Sequence, residues 1–478
     1  MRAGALVPLL LLGACTVGPD YHAPDAPSPA SFAQAAGQTP LSRTVPEKAD
    51  VAQWWTGFQD KTLDSLIARA LAANLDLKTA VSRLRQAREE VIIAGAAEWP
   101  QVNATGSAAR LHSNANLASR LGSQPGGGTA PGGGTDLKLY SAGFDATWEL
   151  DIFGGTRRQV ESAKANSDAA LWQLHDNEVS LTAEIASTYF LLRAAQARLA
   201  VLTSEAARQN DTLTLVASRR KAGFVTQYDV DQQNVLLATT NAEIAPLEAE
   251  VAVAQHALAV LLAQPPEALY AELREPAPLP PVPVTVPTGL PSELLRRRPD
   301  VRVAERRLAA ATANIGVAVA DLYPKFNLIG AVSFSGNRFS NLFSSGNLGE
   351  VGYGGITWPI FSAGKIEANI RSKEEDRNQA YFSYQKAVLG AVRDAEDALA
   401  RYRTDQQRLI ALERAAESGR SSVEISSQQY RAGLAPYLNV LSAEANYLSV
   451  SGQLVQSRQA LVTDLVSLYK ALGGGWSE

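Results

Sequence analysis

The chain has 478 residues, 46% of them hydrophobic, and its 44 Lys and Arg against 48 Asp and Glu leave a formal net charge of −4. That is ample material for a core, and with no basic stripe it gives no reason to expect nucleic acid as a partner. A single cysteine, Cys15, and four scattered histidines (His22, His112, His175, His256) exclude an intramolecular disulfide and any recognisable ligand spacing for a metal, so no cofactor is expected.

In chain order, residues 1–14 read as a signal peptide: Arg2 supplies a positive start and Ala5 to Leu12 an apolar run far too short to cross a bilayer. Leu12-Gly13-Ala14-Cys15 resembles the bacterial lipobox, in which cleavage exposes a cysteine that is acylated, palmitate included. Lipoproteins kept in the inner membrane usually carry Asp at the next position; Thr16 therefore points to outer-membrane sorting. Several acyl chains on Cys15 make a stable lipid anchor, where one chain alone is marginal. Residues 15–50 are rich in Pro, Ala, Ser and Gln without apolar periodicity and predict an extended tether.

The rest repeats itself. Asn74-Leu75-Asp76 and Arg298-Pro299-Asp300 open similar helical patterns, which close at Trp99-Pro100 and Tyr323-Pro324; Asp76 and Asp300, and Pro100 and Pro324, share one offset of 224 residues. Lys221-Ala222-Gly223 matches Arg431-Ala432-Gly433, and Tyr228-Asp229-Val230 matches Leu438-Asn439-Val440, both at an offset of 210. The organisation expected is a first repeat over 51–274, a stiff linker over 275–291 with seven prolines, a second repeat over 292–472 and a tail over 473–478.

Each half holds a long helical stretch, about Thr156 to Ala222 and about Lys365 to Ala432, roughly 100 Å at 1.5 Å per residue. A second helix follows each, about Thr226 to Leu262 and about Pro436 to Leu472, with Gly223 and Gly433 where a helix end needs a left-handed residue. Before each long helix the period changes to two. Tyr140, Ala142, Phe144, Ala146, Trp148 and Leu150 alternate with Ser141, Gly143, Asp145, Thr147 and Glu149. Weaker copies run from Val102 to Ala108, from Phe326 to Phe334, and from about Val351 to Phe361 with Ile356, Trp358 and Ile360 on one face. Ten-residue alternation suits membrane strands, and Trp99, Trp148, Tyr323 and Trp358 lie where membrane-interface aromatics belong. Gly-rich 124–134 and the Ser/Asn/Gly-rich stretch around 340–349 predict the connecting loops.

Four strands cannot close a barrel, and an open edge in lipid costs several kcal/mol per unpaired group. Two copies give eight strands, whose interior fills with side chains; three copies give twelve, with room for a lumen. The fold class expected is mainly α with membrane β: long helical hairpins continuing the barrel as a tunnel, plus four strands per chain in a shared twelve-stranded barrel of three copies, with internal duplication.

An ordered set of short motifs then resembles the TolC/OprM group of outer-membrane factors, in its lipoprotein branch that serves resistance-nodulation-division pumps. It comprises Cys15 with Gly18-Pro19-Asp20-Tyr21, Trp148 to Gly155, Leu290-Pro291-Ser292, Arg297 to Arg302, Ile315 to Ala318, Trp358 to Phe361 and Tyr469 to Trp476. The resemblance covers essentially the mature chain. It implies a homotrimer in the outer membrane of a Gram-negative bacterium, passing small molecules in multidrug efflux, with a periplasmic adaptor (membrane fusion) protein, an inner-membrane transporter and outer-membrane lipid as partners. Two other readings stay open: the duct of a type I protein secretion system, and a lipid-anchored periplasmic coiled-coil adaptor or scaffold. No nucleophile–base set or phosphate loop points to an enzyme.

By the same resemblance the hairpin turns are periplasmic tips. Ala222, Gly223, Phe224, Ala432, Gly433 and Leu434 are the candidates for adaptor contact. The family's aspartate position at the closed entrance is Asn439 here, while the first half carries Asp229 and Asp231. Asp229 has two readings, a charged constriction or a helix start where a carboxylate suits the dipole. Tyr228, Tyr437 and Arg431 complete the candidates for the gate.

Overall fold

A computed structural model describes residues 16–25, 29–35, 41–45, 51–113 and 135–477. The expected signal peptide 1–14, the expected lipid-anchor residue Cys15 and the expected glycine-rich loop 124–134 lie outside the described residues.

The elements in chain order are β1 (Arg43–Val45), α1 (Lys61–Ala73), α2 (Leu75–Ala96), β2 (Gln101–Ser113), β3 (Thr135–Leu150), α3 (Gly155–Lys221), α4 (Gln227–Ala242) and α5 (Ile244–Leu261). They continue with β4 (Thr285–Pro287), α6 (Pro291–Arg297), α7 (Pro299–Ala320), β5 (Lys325–Gly336), β6 (Leu348–Thr357), α8 (Lys365–Arg431) and α9 (Tyr437–Ala471). The duplication is carried into lengths: α2 and α7 have 22 residues each, α3 and α8 have 67 each. The return helix of the first half, expected unbroken, divides at Glu243. Pro246 has no N–H to donate, and its ring clashes with the carbonyl four residues back.

Two compact units divide the chain. One holds residues up to 23, 86–168 and 306–381. Its centre is an antiparallel sheet in the order β2-β3-β5-β6. Register puts the expected apolar residues on one face: Val102 faces Ala146, Phe144 faces Val332, Trp148 faces Leu328 and Leu150 faces Phe326. The other face is polar over β2 and β3, where Asn103 donates to Asp145 at 3.1 Å and the Ser107 and Ser141 hydroxyls are 2.8 Å apart. In β6 the alternation fails. Val351 and Tyr353 pair with Ala331 and Ile329 on the otherwise polar face, and Glu350 pairs with Val332 on the apolar one. β6 also starts earlier and stops at Thr357, so Trp358, Ile360 and Phe361 lie beyond it; Pro359 cannot donate to a ladder.

The N-terminal segment of this unit is clasped rather than loose. Val17 N–H donates to Phe153 O at 3.1 Å, and the buried Arg158 donates to Val17 O, Gly18 O and the Asp20 carboxylate at 3.1, 3.3 and 2.7 Å. Gly18, at φ +87°, lies so close to Gly316 that a Cβ would stand 2.4 Å from the Gly316 Cα. That contact accounts for two of the sequence motifs together. Tyr21 packs on Ala165, Ala309 and Ala310, a seam of small residues between α3 and α7.

The other unit holds residues 24–85, 169–305 and 382–478. Asp60 caps α1 through Thr62 N–H and Leu63 N–H at 2.9 and 3.2 Å, and its second oxygen accepts from Tyr189 at 2.7 Å. Leu63, Leu66, Ile67, Ile185, Phe190 and Leu258 are fully buried. The expected tether is held here by side chains: Glu396 accepts from Ala33 and Gln34 N–H at 2.7 and 2.9 Å, and Gln406 from Ser42 N–H at 3.0 Å. β1 pairs in parallel with β4, so the proline-rich linker also carries a strand. The Arg-Pro-Asp motif ties three elements: Arg298 donates to Asp300, to Asp394 of α8 and to Ala471 O at the end of α9. The expected tail is packed, with Trp476 buried against His175 and Trp172.

Candidate gate, docking tips and membrane end

Each long helix ends in the same way. Gly223 N–H bonds Arg220 O and Phe224 N–H bonds Arg219 O, both at 3.0 Å; Gly433 N–H bonds Tyr430 O at 3.0 Å and Leu434 N–H bonds Gln429 O at 2.9 Å. This doubled closure needs a left-handed residue, supplied by Gly223 at φ +77° and Gly433 at φ +75°. An apolar residue just past such a cap usually folds back on its helix. Here Phe224 and Leu434 are 79% and 81% exposed, and Ala222 and Ala432 beside them are open as well.

Behind the turns Val216, Val230, Tyr430, Tyr437 and Val440 form a buried apolar cluster. Two polar links cross the repeats in it. The Tyr437 hydroxyl donates to Gln233 Oε1 in α4, and Arg219 stacks 4.5 Å over the Tyr430 ring while donating to Arg431 O at 2.8 Å. Burial, and then the Glu444 carboxylate, push the Tyr437 hydroxyl well above the ordinary tyrosine range.

Asp229 caps its own helix. Its Oδ2 accepts from Thr226 N–H at 2.9 Å and from the Thr226 hydroxyl at 2.8 Å, a reciprocal capping box. In the second half the N-cap is Pro436, which has no N–H for a carboxylate to accept, and Asn439 stands in place of the aspartate. Asp231 accepts from Gln227 at 2.8 Å. Tyr228, Asp231, Arg431 and Asn439 are exposed, whereas Tyr437 is buried.

One cluster escapes the sequence reading. Arg208 of α3 donates to Glu444 of α9 at 2.9 Å and to Glu205, and the Thr212 hydroxyl donates to Glu444 at 3.0 Å. Glu444 is 1% exposed. Burial raises its carboxyl, while Arg208 and Thr212 pull it back. The partners stand more than 230 residues apart, so no spacing announces them; the one local hint is a carboxylate one turn after the buried Val440.

At the sheet, Trp99, Trp148, Tyr323 and Trp358 all fall at the end that joins the helices. Trp148 donates to Glu98 O and Trp358 to Leu322 O, both at 3.0 Å, and Tyr323 stacks on Phe153 at 4.6 Å.

A sheet with one largely apolar face, and long helical hairpins with exposed tips, are the parts expected of a membrane channel subunit. The profile of the family described as "Outer membrane efflux protein" matches residues 66–264 and 290–474, one span in each repeat. The chain is 34% identical over 477 residues to the pyoverdine export outer membrane protein OpmQ of Pseudomonas aeruginosa, covering 98% of this chain and 95% of that one. It is 32% identical over 484 residues to nodulation protein T of Rhizobium leguminosarum bv. viciae, covering 100% and 94%. The outer-membrane channel OprN superposes with a TM-score of 0.87 at 36% identity, over 97% of this chain and 100% of that one. The chain belongs to the outer membrane efflux protein family. It is the outer-membrane channel component of a tripartite efflux system of the resistance-nodulation-division type.

Proposed function

We propose that three copies of this chain join their sheets edge to edge into one twelve-stranded barrel, continued below the membrane by their helices as a duct that performs no chemical step. The observation that carries the trimer is the strand order, which leaves β2 and β6 each with one unpaired edge beside an apolar face. In hydrocarbon those edges must be closed, and twelve strands leave a lumen where eight do not. A second observation supports it. α4 and α5 together are long and apolar enough to cross a membrane by length and composition, and Val235, Val253 and Val260 stand exposed on them. Such a face fits helix packing between copies.

Acylation of Cys15 gives the lipid anchor. It is supported by the clasp next to it, since Val17 is held to Phe153 beside the Trp148 end of the sheet. At the tips Phe224 and Leu434 meet the periplasmic adaptor, with Ala222, Gly223, Ala432 and Gly433 allowing close backbone approach. The resting constriction is held by the Tyr437–Gln233 and Arg219–Tyr430 links, and Tyr228, Asp229, Asp231, Arg431 and Asn439 surround it. The inner-membrane transporter then delivers cargo through the adaptor.

The test is a mass and single-channel measurement on detergent-solubilised protein. A three-chain particle that conducts is expected, and Cys15→Ser should keep both while losing the lipid. Monomeric, water-soluble protein from that variant overturns the barrel. Phe224→Asp combined with Leu434→Asp should abolish drug export in cells at unchanged trimer mass; full export removes the tips from docking.

A further inference from the structure

The four interface aromatics all mark one end of the sheet, and among the described residues the loop between β5 and β6 lies at the other end. Tyr140 lies eight residues before Trp148 in β3, about 26 Å at roughly 3.3 Å per residue. A strand tilt of roughly 40° shortens that rise to about 20 Å, most of the roughly 25 Å height of a lipid-facing apolar band. Tyr140 therefore sits toward the far rim of the band. The loop reaches the same place and folds onto the apolar face: Phe339 meets the Tyr140 ring edge-on at 5.8 Å and Phe343 meets Phe334 edge-on at 5.4 Å. Leu342 between them is buried. The loop holds its own shape, with Asn347 donating to Asn341 O at 2.7 Å.

Beneath it the sheet surface is cut away. Gly106 pairs with Ala142 and Ala108 with Tyr140, so three small side chains lie together on the apolar face. With Ser107, Ser141, Tyr140, Phe339, Leu342 and Phe343 they line an open cavity of about 440 Å³. A floor rich in Gly and Ala under aromatic walls, open along a lipid-facing surface, suits a methylene chain in polarity. A headgroup or a peptide finds no charged partner in it. We propose that this slot binds an acyl chain of an outer-leaflet membrane lipid and that Tyr140, Phe339 and Phe343 clamp it at the outer rim. The proposal rests on the reading of the sheet as part of a lipid-embedded barrel.

The test uses the full-length protein in nanodiscs with a phospholipid that carries a diazirine in one acyl chain, followed by peptide mapping after illumination. Adducts are expected on Tyr140 and on 339–343 as well as on Phe144 and Val332. An added Cβ at Gly106 meets nothing nearer than Ser141 O at 3.9 Å. Gly106→Val therefore fits the strand while filling the floor, and it should cut labelling of 339–343 about tenfold at unchanged labelling of Phe144. Competition by unlabelled lipopolysaccharide would assign the slot to its acyl chains, and persistence of the label would assign it to phospholipid. Label on Phe144 and Val332 with none on 339–343, or no response to Gly106→Val, overturns the slot. No label on either overturns the lipid-facing sheet itself.

Discussion

Trp148 and Trp358 make one and the same hydrogen bond 210 residues apart: each indole N–H donates at 3.0 Å to a carbonyl at the end of the helix preceding its strand pair, Glu98 O in one half and Leu322 O in the other. The duplication has thus preserved a contact as well as an order of elements. Each bond fastens the end of a membrane strand to the turn through which the chain enters the sheet. An indole serves both needs there, an apolar body for the interface and one donor for a carbonyl that helix geometry leaves unpaired.

Trp148→Phe and Trp358→Phe should each lower trimer stability by about 1 kcal/mol per protomer, the worth of one hydrogen bond at nearly constant apolar area. Sitting in different strand pairs with no shared partner, they should add in the double variant. Melting of the detergent-solubilised trimer measures both effects. A loss from either phenylalanine variant as large as that from alanine would mean that ring packing, and not the bond, fastens the strand.

Arg158→Ala should release the N-terminal segment. The guanidinium is 3% exposed and serves two backbone carbonyls and the Asp20 carboxylate, so roughly 2–3 kcal/mol of local stability is at stake. Hydrogen exchange over residues 16–21 should accelerate while exchange in α3 beyond the second turn stays as it was. The hydrogen bond from Arg158, and then its charge, hold Asp20 below the usual carboxylate range. The clasp is therefore complete above that range and loosens as pH falls from it through the lowered value.

The duplication and the long helices were legible because spacing survives divergence: Asp76 and Asp300, and Gly223 and Gly433, hold their offsets even where the chemistry around them has changed. Three strands were legible from parity. The fourth, expected from about Val351 to Phe361, was legible in place but not in parity, since Val351 and Tyr353 occupy the otherwise polar face in register with Ala331 and Ile329. The N-terminal tether looked unattached because its anchors are not its own; Glu396 and Gln406 reach its backbone from more than 360 residues away. Asp229 carried two readings in sequence, and Pro436 explains the difference between the halves, because a proline N-cap removes the donor that makes a capping box worth keeping.

Asp229→Ala and Tyr437→Phe should separate capping from gating. Loss of the box costs about 1 kcal/mol in α4, and Asp229→Asn should recover part of it. Tyr437→Phe leaves Gln233 Oε1 without its buried donor and should weaken the cross-repeat link without moving the turn. Single-channel conductance in planar bilayers should rise for Tyr437→Phe. It should rise for Asp229→Ala as well if the carboxylates also line the constriction. Unchanged conductance in Tyr437→Phe would release that hydroxyl from any role in holding the tip closed.

Asp464 gives a pH dependence of the opposite sign to that of Asp20. Burial, then the hydrogen bond and charge of Asp405 across the α8–α9 seam, push its carboxyl up to about 7, and Arg401 at 4.0 Å offsets only part of this. The folded protein therefore holds a proton on Asp464 that the unfolded chain gives up near the ordinary value of 3.8. The sign follows: the folded state binds more protons between those two values, so stability falls as pH rises from about 4 to about 7 and is level above. The full shift corresponds to about 4 kcal/mol at roughly 1.4 kcal/mol per pKa unit, and contact of the carboxyl with solvent makes roughly half of that the expected size. Asp464→Asn keeps a hydrogen bond to Asp405 without the charge. It should melt higher than the parent at pH 8 by that margin per protomer and coincide with it near pH 4. Equal melting of the two proteins across the range would mean that Asp464 holds no such proton.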